Sequence, residues 1–276
     1  MKKNERPKTL GPRTATVLAE LYQRGRTIFA VADVRDVAAL GAKPASNLIA
    51  NMIARGHVTR LKSGLFILVP FEMGHAPGYI GDPYLVAREL ADTNEYCLSH
   101  VSAMDIHRML PPRPFVVYVT TPLPRHSRNI LGTEFRFVRC KKAHVFGIVD
   151  HWLTKTEKIQ VSDLERTVID GLKQPEHCGG ITQVAKGLYI RRDDVEPDRL
   201  VEYALRLDVG AVTRRLGFLM ELFEVGGDTE LARLHRHVTS HYARLDPVLP
   251  TEGRFASKWR LQLNVSPDEL EAIMRT

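Results

Sequence analysis

The chain has 276 residues, 44% of them hydrophobic and 26% charged, a balance that suits a folded globular protein with two cores and excludes a disordered or fibrous one. Its apolar runs, such as 115–119, fall well short of the roughly 20 residues that cross a bilayer, and its Lys-rich start leads into polar residues rather than a secretion signal, so a cytoplasmic protein is expected. The formal charge of +7 is concentrated: residues 1–70 hold 12 Lys and Arg against 4 Asp and Glu, an excess of +8, whereas residues 71–276 hold 27 against 28, or −1.

A basic segment of that density gathers polyanions, nucleic acid first among them, although Lys2, Lys3, Arg6 and Lys8 read equally well as a solvated tail. Residues 14–24 set Val17, Leu18 and Leu21 at helical spacing with Gly25 as the stop, which predicts a first helix. After an extended piece at 27–30, the pattern Val34, Val37, Ala38, Leu40 predicts a short second helix over 33–40, closed by Gly41. Pro44 suits the first turn of a third helix over 44–55, because its missing N–H would have had no partner there. On that helix Leu48, Ile49, Met52 and Ile53 share one side, and Lys43, Asn47, Ala50, Asn51 and Ala54 share the other. Residues 58–61 and 65–69, joined by Lys62-Ser63-Gly64, predict a β-hairpin directly after it. Helix, helix, helix, hairpin is the order of a winged helix-turn-helix.

Glycines and prolines make 73–83 a linker. The expected organisation is therefore a winged helix-turn-helix at 1–72, a linker at 73–83 and a larger mixed domain at 84–276 with a small sheet and a helical end, an α+β protein. Helices are expected at 84–91 and 99–109, the second ended by Pro111-Pro112-Arg113-Pro114. Strands are expected at 115–120, 134–140 and 158–161, where Val, Ile, Phe and Tyr cluster. Helices follow at 162–172, 197–207, 210–223 and 229–242; Ser162 with Glu165 three residues on forms a capping-box pattern.

The outward face of the third helix carries the residue types that read duplex DNA. Asn bonds bidentately to adenine, Lys reaches guanine, and Ala lets a helix approach base edges. Lys43, Ser46, Asn47 and Asn51 are the candidate base readers, with Arg13, Arg55, Arg60 and Lys62 on phosphates. A second basic patch spans Arg125, Arg128, Arg136, Arg139, Lys141 and Lys142, a candidate contact for DNA or RNA. Arg136 alternates with Phe135 and Phe137, which is also what a half-buried strand looks like.

His235, Arg236, His237 and His241 form the one histidine cluster. His237 and His241 would share a helix face as zinc ligands do, but no HExxH glutamate or cysteine supports them, and zinc is not expected. Asp163, Glu165 and Asp170 are close enough in sequence for Mg²⁺ or acid–base work; the simpler reading gives Glu165 to the helix cap and pairs Arg166 with Asp170 as a buried anchor. Cys97, Cys140 and Cys178 are mutually isolated, and are read as reduced and mostly buried. Phosphate-loop, dinucleotide-binding and nucleophile-elbow motifs are absent, which weighs against an enzyme. No cofactor or metal is expected.

Several phrases, spread over nearly the whole chain, resemble the AbiEi-like antitoxins, transcriptional regulators of abortive-infection toxin–antitoxin operons active in phage defence. They are the hairpin segment from Arg60 to Leu68, then Leu98-Ser99-His100-Val101-Ser102-Ala103, then Val161-Ser162-Asp163-Leu164-Glu165-Arg166-Thr167-Val168-Ile169-Asp170. Further on come Arg215-Leu216-Gly217-Phe218-Leu219-Met220-Glu221-Leu222 and Trp259-Arg260-Leu261. The resemblance implies an N-terminal domain that binds inverted repeats in its own promoter as a repressor. It also implies a C-terminal domain that counters a nucleotidyltransferase-like toxin, with direct contact left open. Two other classes compete: a metal-dependent nuclease directed to DNA by its winged helix and using Asp163, Glu165 or Asp170, and an interaction module built on the helices of 197–242.

Overall fold

The computed structural model describes residues 10–73, 78–109, 116–155 and 157–275. Lys2, Lys3, Arg6 and Lys8, residues 74–77 of the expected linker, and residues 111–115 with their prolines lie outside the described residues. The protein is α+β. It divides into two compact units: Met1–Asp92 with Arg128–Glu134 and Trp152–Lys158, and Thr93–Ser127 with Phe135–His151 and Ile159–Thr276.

The first unit begins with α1 (Pro12–Gln23), β1 (Ile28–Ala30), α2 (Val31–Ala38) and α3 (Ala42–Ala54). Proline opens α1, and Ala39 in the left-handed region (φ 49°) closes α2 two residues before the glycine that marks its end in the sequence. The start of α2 is fixed by Asp33, whose carboxylate accepts the Ala30 N–H at 2.7 Å and pairs with Arg26. Strands β2 (Val58–Lys62) and β3 (Leu65–Leu68) form the hairpin, with Gly64 at φ 77° supplying the turn. Antiparallel pairing of Ile28 with Ile67 adds β1 beside it, giving the order β1-β3-β2. Val17, Leu21, Phe29, Val34, Ile49, Met52 and Leu68 close one core between the helices and this sheet. Helix α4 (Pro83–Ala91) follows, capped by Asp82, which accepts the Tyr84 and Leu85 N–H groups.

The remaining strands are β4 (Cys97–Leu98), β5 (Val116–Thr121), β6 (Arg128–Ile130), β7 (Thr133–Arg139), β8 (Ile148–Trp152) and β9 (Lys158–Ser162), in the sheet order β6-β7-β5-β4-β9-β8. Strand β4 runs antiparallel to β5, with Cys97 opposite Thr120, and parallel to β9. In the second unit α5 (His100–Ile106), α6 (Leu164–Lys173), α7 (Ile181–Ile190), α8 (Pro197–Leu207), α9 (Gly210–Leu222) and α10 (Asp228–His235) enclose a core of aliphatic side chains closed by Trp259. A small sheet, β10 (Ala243–Arg244), β11 (Arg254–Ala256) and β12 (Leu261–Leu263) in the order β10-β12-β11, and α11 (Pro267–Ile273) complete the chain.

Two local expectations need correction. Asp163, not Ser162, caps α6: its carboxylate accepts the Arg166 N–H at 2.7 Å, while the Ser162 hydroxyl faces Thr167 at 2.8 Å. Helix α10 ends at His235 rather than near 242. Beyond that end the Thr239 hydroxyl accepts a hydrogen bond from buried Arg214 at 2.6 Å.

Candidate nucleic-acid interface

Helix α3 packs inward through Ala45, Ile49 and Met52, all at most 2% exposed, with Leu48 and Ile53 half-buried beside them. The 3.6-residue period then forces Lys43, Ser46, Asn47, Ala50, Asn51 and Ala54 outward, and every one is exposed. Lys43, Asn47 and Asn51 have no partner within the described residues, and Ser46 returns its hydroxyl to the Ala42 carbonyl at 3.0 Å. Gly41 gives the helix no side-chain cap, so its first amide groups are available to an anion. The outward face is thus unpaired, short in side chain and polar.

The expected phosphate ligands divide into three kinds. Among the described residues Arg13, at the start of α1, is exposed and unpaired, and Arg60 is exposed where β2 bulges and makes only a long 3.4 Å bond to the Lys62 carbonyl. Arg55, at the end of α3, is half-buried and engaged within the protein. Lys62 is redirected: its ammonium donates to the Glu89 carbonyl at 3.1 Å and sits 3.6 Å from the Asp92 carboxylate, so it serves the C-terminal end of α4. Arg35 on α2 is an exposed, unpaired cation that sequence reasoning missed; its place in the basic segment and beyond the apolar stripe of α2 was the available signal.

In the second patch Phe135 is fully buried and Arg136 exposed on β7, the alternation of a half-buried strand. Arg136 donates to the Tyr118 hydroxyl at 2.9 Å, Arg125 is half-buried and engaged, and Arg128 is exposed on β6. Among the described residues Arg139 and Lys141 are exposed without partners, and Lys142 stands 3.5 Å from Glu95.

The acidic trio does not converge. Asp163 caps α6 and accepts the Tyr203 hydroxyl at 2.8 Å, and Glu165 accepts the Glu196 N–H at 2.8 Å. Asp170 holds Arg166 at 2.9 Å in an ion pair no more than 5% exposed. Each carboxylate has a structural partner of its own, although Asp170 Oδ2, like Arg166 Nη1, is buried with no hydrogen-bond partner among the described residues. His237 and His241 lie beyond the end of α10 and share no helix face. Among the described residues no three His, Cys, Asp or Glu side chains gather as metal ligands. No described helix is long and apolar enough to cross a membrane.

No family model matches the sequence, and no curated protein matches it. Among solved structures the chain is similar to the RV2827C protein from Mycobacterium tuberculosis, at 16% identity and a TM-score of 0.73, over 97% of this chain and 96% of that one. At that identity the likeness is one of fold, and it extends through both units.

Proposed function

We propose that the first unit is a winged helix-turn-helix that binds duplex DNA, with α3 in the major groove and the β2–β3 hairpin as the wing. The observation that carries this reading is the outward face of α3, exposed along its length and free of internal partners at Lys43, Asn47 and Asn51, in a segment with an excess of +8 charges. Asn47 and Asn51 stand one helical turn apart, spaced to address successive base pairs, and small Ala50 and Ala54 allow close approach. Arg13, Arg35 and Arg60 contact the flanking phosphates and set the register. Following the resemblance of the sequence, the protein acts as an autorepressor on inverted repeats of its own promoter and as the antitoxin of a nucleotidyltransferase-like toxin. The phrases that carry that resemblance support the antitoxin role; the α3 face supports the DNA-binding role.

Binding to the upstream region of its own gene, followed by fluorescence anisotropy against a scrambled duplex, tests the reading. Asn47→Ala and Asn51→Ala are expected to cost about 1–3 kcal/mol on the cognate duplex and little on the scrambled one. Arg60→Ala weakens both alike. Equal affinity of wild type for the two duplexes removes the repressor, and cleavage of either in Mg²⁺ replaces it with the nuclease.

A further inference from the structure

Beside the β5 strand end lies a site that the proposed α3 and hairpin interface leaves unused, although its cations belong to the second basic patch. An open groove of about 690 Å³ is lined by Pro122 and Leu123 together with Arg139, Lys141 and Lys142. At Glu95, Pro122 and Cys140 it meets a narrow slot that runs inward past Thr120 and Cys97 to Phe146 and Arg166. The geometry follows from the sheet. Cys97 stands opposite Thr120 on one side of β5, and the Cys140 N–H bonds the Thr121 carbonyl at 3.1 Å on the other, so both thiols face the slot.

The end of the slot is chemically incomplete. Arg166 is 3% exposed and spends its Nε on Asp170, yet its Nη1 has no partner. Its guanidinium lies over Phe146, 4.1 Å from the ring centroid, with Arg206 over the same ring at 4.2 Å. A buried guanidinium N–H without an acceptor is destabilising, and Arg166 lines a slot with about 10 Å³ of free volume, the size of one oxygen-bearing group. The groove outside has the volume of a small-molecule site.

We propose that groove and slot together bind a small phosphorylated molecule, its phosphoryl group held by Arg139, Lys141 and Lys142 and an acceptor oxygen of its body received by Arg166. A nucleic-acid backbone meets only the outer cations, because a duplex cannot enter a slot of that width. Arg139 and Lys141 are free for the phosphoryl group, and Lys142 is loosely tied, its side chain 82% exposed beside Glu95.

Cys140 reports occupancy, since it lines both parts and is half-buried, while Cys97 and Cys178 are buried. The full chain is treated with iodoacetamide in the presence of pyrophosphate or of ATP, and Cys140 alkylation is followed by mass spectrometry. Either probe at ten times its Kd is expected to slow alkylation about tenfold, as only the empty fraction reacts. The protection is expected to vanish in Lys141→Ala/Lys142→Ala, whose side chains are exposed and whose fold, checked by circular dichroism, is unchanged. Absence of protection by both probes overturns the proposal. So does protection that survives the double substitution, or that only an oligonucleotide provides.

Discussion

His100 is the residue on which local geometry and burial conflict most openly. It sits at φ 52°, in the left-handed region that few residues other than glycine adopt and that histidine, asparagine and aspartate tolerate best, and it is 1% exposed. Its Nδ1 meets the Ser99 hydroxyl at 2.9 Å, and that hydroxyl meets Thr120 at 2.7 Å. Burial, opposed by the nearby Asp170 carboxylate, lowers its pKa from 6.5 to about 4. Above pH 6.5 the ring is neutral in both folded and unfolded chains and stability is independent of it. Between 6.5 and 4 the unfolded chain takes up a proton that the folded one refuses, so stability falls with falling pH. With a slope that rises towards about 1.4 kcal/mol per unit as the unfolded ring becomes protonated, acidification from pH 6.5 to 5 is expected to remove about 1.5 kcal/mol. His100→Asn tolerates the same backbone angle and has nothing to titrate there; its melting temperature should decline less over that interval, and an equal decline would clear His100 of the effect. Sequence reasoning placed His100 only inside a family phrase and looked for histidine chemistry at His235 to His241. Nothing local marks a buried histidine: its environment comes from β5 and α6, 20 to 70 residues away in the chain. The Arg166–Asp170 pair, by contrast, was legible because its partners are one helical turn apart.

At the scale of elements, legibility followed length and amphipathicity. Helices α1, α3, α8 and α9 were readable because each repeats its apolar pattern over three or more turns and ends on proline, glycine or a helix-breaking neighbour. Strands of two or three residues, such as β4, β10 and β12, are too short to show a period of two. Helix α7 was missed because its start is set from afar: the Ile181 N–H is capped by Asp246, 65 residues later. Helix α9 holds the sharpest packing constraint. Gly217 faces the Trp259 ring so closely that a Cβ built on it would stand 2.1 Å from the indole. That indole is 1% exposed and donates to Glu221, one turn further along α9, at 2.6 Å. Gly217→Ala must therefore push the ring out of the core or shift the helix. A loss of about 3 kcal/mol is expected, at the upper end for overpacking and well above the roughly 1 kcal/mol that Gly→Ala would otherwise gain in a helix. Urea unfolding monitored by tryptophan fluorescence measures it, and a variant as stable as wild type would contradict the contact. The Gly217 and Trp259 phrases, separate in sequence, are thus two halves of one packing contact.

At the scale of the whole molecule, charge is divided as sharply as structure. The first 70 residues hold an excess of +8 and the rest −1, yet the second unit still displays a local cluster at Arg139, Lys141 and Lys142. The two basic regions differ in how they meet a ligand. Arg13, Arg35, Lys43 and Arg60 are exposed on helices and a hairpin, suited to a long polyanion, whereas the second cluster lines an open groove next to the narrow slot that buried Arg166 lines. Salt dependence separates them. Each phosphate neutralised on duplex DNA contributes about −0.9 to the slope of log K against log salt concentration, so the three phosphate cations Arg13, Arg35 and Arg60 give about −2.7 per chain. Replacing Arg13 and Arg60 together by Ala should flatten the slope by about 1.8, and Lys141→Ala/Lys142→Ala should leave it unaltered. If the second pair flattens the slope as much as the first, the duplex runs over both regions and the groove is part of one nucleic-acid surface. An unaltered slope in both variants means that DNA is held by other residues, and the winged-helix face proposed for α3 then has no electrostatic footing.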